Sequence, residues 1–181
     1  MVNSQKRAPK TKGQFVVGFV TAIEEISAAF EAKVRNILAE NGIEDLKPDE
    51  HYPVEAVAQS INQMAEDVGP KTIHKIGIFQ VTIPDWPDDI DTVEAGFEAI
   101  NDMYSGAYIN YREEDLGRFR FEKTDERQGR ASVTSEFPYH PAFASGIFEG
   151  IIQDLGPEPA FPRLSETEPR SDEKAAYELQ W

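Results

Sequence analysis

The spacing of apolar residues changes once along this chain, at Gly106, and that change limits the fold more than any motif does. Before it, apolar residues recur every three or four positions. Phe15, Val16, Phe19, Ile23, Ile26, Phe30, Val34, Ile37 and Leu38 form the kind of stripe that a helix buries. After it, the pattern alternates. In GRFRFEK (117–123), Phe119 and Phe121 fall on one face, with Arg118, Arg120 and Glu122 on the other; RASVTSEF (130–137) alternates Ala131, Val133, Ser135 and Phe137. Two period-two runs joined by a short turn over Asp125–Gly129 predict an antiparallel hairpin.

The first half divides into helices at its breakers. Gln14–Asn41 is helical, with a possible interruption at Ser27-Ala28-Ala29 and a stop at Asn41-Gly42. Asp45–Tyr52 is a loop. Pro53–Val68 is a second amphipathic helix, and Lys71–Phe79 a shorter one. Val81–Pro87 cannot stay helical through Pro84 and Pro87. Asp88–Tyr104 is a further helix, with Asp88, Asp89 and Asp91 at the end where the dipole favours acids. Beyond the hairpin, Glu136–Leu155 runs through a Pro-Tyr-His-Pro turn into a helix. Residues 156–170 are Pro-rich and irregular, and Ala175–Trp181 is a last strand. The order predicts an α+β fold: N-terminal helices packed on a C-terminal antiparallel sheet of three to four strands with one inserted helix. Residues 1–12 read as a flexible basic tail and 13–181 as a single domain.

Composition narrows the function classes. The net charge is −15, from 33 acidic and 18 basic side chains. Such a surface repels nucleic acid and anionic membranes, so neither is an expected partner. No apolar run reaches the roughly 18 residues of a membrane helix, and the basic N-terminus has no apolar segment behind it. A cytoplasmic protein is expected. Cysteine is absent, which removes disulfides, thiolate metal sites and cysteine nucleophiles.

Few residues suggest chemistry. His51, His74 and His140 are the only histidines, and no two stand at a metal-ligating spacing. His140 is the best placed, in the turn that aims the helix after it. Acidic pairs such as Glu113-Glu114 are expected from an acidic surface. Neither a G-x-S-x-G elbow nor a phosphate loop is present. No metal site, no catalytic residues and no enzyme activity are expected.

The second half resembles the small-molecule-sensor superfamily that includes the haem–nitric-oxide-binding domain and the 4-vinyl-reductase-type domain. The resemblance rests on GRFRFEK, on EFPYHPAFASGIFEGIIQDLG, which is similar to the family's turn and helix ending in small-x-x-x-Gly, and on AAYELQW, similar to its closing strand. FEAKVRNILAENGI, HYPVEAVAQSINQMAEDVG and PKTIHKIG are similar to its N-terminal helices. The match is to a further branch rather than to either named domain. Two departures stand out. The haem branch carries an iron-ligating His on the helix before the sheet and a Tyr-x-Ser-x-Arg run on the sheet. Here Asp88–Tyr104 has no His, and that run is absent. The 4-vinyl-reductase type carries Cys near the turn and the last strand, where this chain has His140 and no Cys.

These readings combine into a set of expectations. The resemblance implies a signalling sensor domain. The aromatic-rich second half suggests an apolar pocket between helices and sheet that takes a small apolar molecule without a cofactor, haem being disfavoured. The candidate ligand-binding residues are Tyr108, Tyr111, Arg118, Phe119, Tyr139, His140, Phe143, Gly146 and Ile147. Ala142, Gly146 and Gly150, spaced by four, allow close approach of a flat ligand or another backbone. The alternative function is therefore a dimerisation or protein-interaction module, with a possible homodimer, and the third is a haem-binding gas sensor.

Overall fold

The computed structural model describes residues 8–82, 86–159 and 161–181. Among them the order is β1 (Lys10–Lys12), α1 (Gly13–Ile26), α2 (Ala28–Glu40), β2 (His51–Pro53), α3 (Val54–Val68), α4 (Pro70–Thr82), α5 (Val93–Gly106), β3 (Tyr108–Ile109), α6 (Glu113–Leu116), β4 (Phe119–Asp125), β5 (Gln128–Thr134), α7 (Pro141–Leu155), β6 (Arg163–Thr167) and β7 (Glu173–Gln180). This is the α+β architecture that the change of period predicts. No described helix is long and apolar enough to cross a membrane.

The larger sheet is antiparallel, in the order β4-β5-β7-β6. Its centre is the predicted hairpin, paired Phe119↔Val133 and Phe121↔Ala131, with β7 laid beside β5 as Ala131↔Tyr177. Alternation therefore points Phe119, Ala131 and Val133 inward, where each is at most 2% exposed. α7 lies over this face. The ring of Phe148 stands edge-on to Phe119 and to Tyr177, at centroid distances of 5.9 and 6.0 Å. α5 flanks α7 and stacks Phe97 flat on Phe121, 4.2 Å apart. On the other side of α7 lies α4, at backbone distance: a Cβ on Gly146 would overlap the His74 carbonyl, and one on Gly77 the Phe143 carbonyl.

The long first helix breaks at Ser27, within the interruption that the sequence suggests, where φ of −169° and ψ of 117° are extended. The structure departs from the sequence expectations in three places. α4 runs on to Thr82, because Pro84 bars helix only at the residue before it; Pro84 itself lies outside the described residues. α5 begins at Val93 rather than Asp88, since the Thr92 hydroxyl accepts from the Ala95 N–H at 3.2 Å and caps the helix there. The Pro-rich stretch over 156–170, expected to be irregular, contains β6, an edge strand with β7 as its partner and Leu164 as its one half-buried aliphatic residue.

The basic tail expected over residues 1–12 also ends earlier. Lys10–Lys12 form β1, the middle strand of a three-stranded sheet in the order β2-β1-β3, and Thr11 is fully buried. Residues 1–7 lie outside the described part.

Candidate functional site

Where α1, α4, α5 and α7 meet the sheet there is a cavity of about 220 Å³, lined by Phe15, Gln80, Val81, Ile100, Met103, Tyr104, Phe119, Phe143 and Ile147. The two later helices supply residues about one turn apart. Gln80 and Val81 come from the end of α4, Ile100, Met103 and Tyr104 from α5, and Phe143 and Ile147, four apart, from α7. The volume is below the roughly 300–1,000 Å³ of pockets that hold drug-sized ligands. Tyr104 is buried, and its hydroxyl donates to the Leu116 carbonyl at 3.1 Å. Met103 is 37% exposed, one of two large apolar side chains left open among the described residues. No histidine lines the cavity, and the described residues hold no cluster of three potential metal-ligating side chains.

Three of the residues singled out from sequence, Phe119, Phe143 and Ile147, line this cavity. Tyr108 and Tyr139 sit behind it, joined by a hydroxyl–hydroxyl bond of 2.7 Å, and Tyr111 packs on Tyr108 at 6.1 Å between ring centres. Burial pushes the Tyr139 phenol up to about 12 and that of Tyr108 well above its ordinary value; the charges of the neighbouring tyrosines act in the same direction on Tyr108. The other three point elsewhere. Arg118 faces a polar trough beside β4, 3.7 Å from Glu113. Gly146 faces α4 of the same chain, so the small-residue stripe is filled by an internal helix contact. His140 caps α7, its Nδ1 accepting from the Ala142 N–H at 3.1 Å. Its imidazole is held below the ordinary value by burial and by the Lys174 ammonium.

Phe15, Ile100 and Tyr104 belonged to apolar helical stripes that gave no reason to single them out. Met103 and Gln80 carried no sequence signal at all. A larger cleft, about 790 Å³, is the trough along β4 and β5. Its charges satisfy one another: Arg120 meets Asp172 at 2.7 Å, Arg130 meets Glu173 at 2.7 Å, and Arg170 meets Glu122 at 3.2 Å. Most of its charges are thus paired with one another, so the smaller apolar cavity is the better candidate.

No family model and no curated protein sequence matches this chain. Solved structures do. An H-NOX protein from S. oneidensis in the Fe(II)NO ligation state is 14% identical, with a TM-score of 0.61 over 93% of this chain and 98% of that one. A mutant of the T. tengcongensis H-NOX is 14% identical, with a TM-score of 0.64 over 93% and 96%. An oxygen-binding H-NOX domain related to soluble guanylate cyclases is 11% identical, with a TM-score of 0.61 over 93% and 94%.

This comparison corrects one expectation. The expected absence of a cofactor rests on the missing His and Cys ligands. The solved domains of this fold carry haem, one as the Fe(II)NO complex and others in work on porphyrin distortion. The fold therefore gives no support to the expected absence of a cofactor. The argument from missing ligands was too narrow, because haem iron also accepts Met thioether and Tyr oxygen. The protein has the fold of the haem–nitric-oxide-binding domain, H-NOX.

Proposed function

We propose that this chain is a non-catalytic sensor domain that holds haem in the cleft between α1, α4, α5 and α7 and senses a small gas molecule there. The observation that carries this reading is the cleft. It is an apolar cavity walled by both halves of the chain, in a fold whose solved representatives hold haem.

The lining fits the group through one residue. Met103 carries a thioether that haem iron accepts, on the most exposed side chain of the lining. Tyr104 carries the other candidate donor, but its hydroxyl is committed to Leu116. Phe15, Phe143 and Ile147 supply apolar wall and exclude water. A porphyrin exceeds 220 Å³, so the cleft has to widen to admit one. Haem, once bound, supplies the iron at which a gas binds.

Titration of the purified protein with hemin, followed by absorbance, tests this. A saturable Soret band at one equivalent is expected, altered in position or at least tenfold weaker in affinity for Met103→Ala and unchanged for Tyr104→Phe. Absence of a protein-bound Soret band overturns the reading, and an unaltered Met103→Ala titration overturns the role of Met103.

A further inference from the structure

On the opposite side of the α4–α7 pair lies a second cleft, of about 510 Å³, within the size range of small-ligand sites. We propose that it binds a small monocarboxylate with an apolar body. α4 contributes Lys71, His74 and Lys75, whose spacing sets them on one helix face. Pro141 and Ala142 of α7 and the ring of Tyr177 form an apolar floor.

The charge of the cleft defines the ligand. The chain carries a net −15, yet among the described residues neither Lys71 nor Lys75 makes an ion pair. The ammonium groups of Lys71 and Lys75 stand in the lining with Glu166 as its one carboxylate, and Glu149 is engaged by His74. The two lysines call for an anionic head group, and a carboxylate is one that also suits a ligand lying on an apolar floor. The apolar floor requires the rest of the ligand to be hydrocarbon.

A row of hydrogen bonds supports the site. His74 Nδ1 lies 2.7 Å from Ser145 Oγ, and its Nε2 lies 2.9 Å from Glu149. The residue types and distances are those of a nucleophile, base and acid relay, but the surroundings favour binding over attack. The Ser145 hydroxyl donates to the Ala142 carbonyl at 3.0 Å. Two first-turn amides of α7 that could stabilise an oxyanion are already used. The Ala142 N–H donates to His140 Nδ1, and the Phe143 N–H to the His140 carbonyl. The row thus holds the His74 ring in a fixed orientation in the cleft wall.

The site is independent of haem, so its test can fail separately. Calorimetric titration with octanoate, octanol and inorganic phosphate at low salt reads it directly. Octanoate is expected to saturate one site at least tenfold more tightly than octanol, with phosphate unable to compete. Lys71→Ala/Lys75→Ala, checked for native circular dichroism, is expected to weaken octanoate at least tenfold and leave octanol unchanged. Ala142→Trp, which fills the floor, is expected to abolish both. Equal binding of acid and alcohol, competition by phosphate, or wild-type affinity in the double lysine variant overturns the proposal. So does turnover of p-nitrophenyl butyrate that Ser145→Ala abolishes.

Discussion

The backbone of Gly146 rests on the carbonyl of His74, so close that any side-chain carbon at position 146 would overlap that oxygen. The obstacle is backbone of a packed helix and cannot rotate away. Gly146→Ala is therefore expected to destabilise the protein by about 3 kcal/mol, the upper end for overpacking. Gly18→Ala is the control. It lies inside α1 with Gln80 Nε2 the nearest atom, at 3.9 Å from the added carbon, and alanine gains helix propensity of about 1 kcal/mol there. Urea denaturation of the two variants should give midpoints on opposite sides of the wild type.

Tyr108 and Tyr139 make the core sensitive to alkali. Both phenols titrate above their ordinary 10.0 in the folded state because burial opposes their charged forms. A raised folded value means that the native state keeps its proton longer than the unfolded chain. The stability it contributes is complete below pH 10 and lost as pH rises toward 12, at about 1.4 kcal/mol per pH unit for each tyrosine. Denaturation midpoints between pH 9 and 11.5 should fall accordingly, and less steeply in Tyr139→Phe. At pH 7 the same variant leaves the Tyr108 hydroxyl short of a partner and should cost about 1–3 kcal/mol.

Glu173 governs the acid limb. Its side chain is fully buried; it accepts from Arg130 at 2.7 Å, from Ser132 at 2.8 Å and from the Arg170 N–H at 2.8 Å. The Arg130 guanidinium, foremost, holds its carboxyl well below the ordinary 4.5. A depressed folded value contributes stability that is present above pH 4.5 and lost as pH falls below it. Glu173→Gln leaves Arg130 without its charge partner. It is expected to cost about 3–5 kcal/mol at pH 7 and to flatten the loss between pH 4.5 and 2.5, read by thermal unfolding across that range.

Ile100 controls the size of the candidate haem cleft. It is 4% exposed and lines the cavity from α5. Ile100→Ala removes wall without touching Met103. It should cost about 2–5 kcal/mol in stability while speeding hemin uptake, because less widening is needed. Stopped-flow absorbance after mixing with hemin measures the rate; uptake slower than wild type would count against this cavity as the site.

Much of the architecture was legible in the chain because it depends on local period. The Phe119–Phe121 alternation set the hairpin and its inward face, and the stripe from Phe15 to Leu38 set the first helices. The three-residue strands β1 and β2 left no such trace. They are too short for a pattern and exist because each satisfies the backbone groups of the other. The haem expectation failed for a different reason: it counted residue types along one helix, whereas a site takes its donors from whatever lines it.

The stretch from Tyr139 to Ile147 shows where local reading ends. By itself the sequence determined that this segment is a turn followed by a helix with small residues at every fourth place, since periodicity and breakers act over neighbouring residues. Only the tertiary structure decided what each side meets. Successive residues of a helix are turned by about 100°. Phe143 and Ile147 therefore face one cleft, Ala142 and Ser145 the other, and Gly146 the backbone of α4 between them. Which face becomes a site depends on the elements packed opposite, which come from positions as distant as Phe15 and leave no mark on the local pattern.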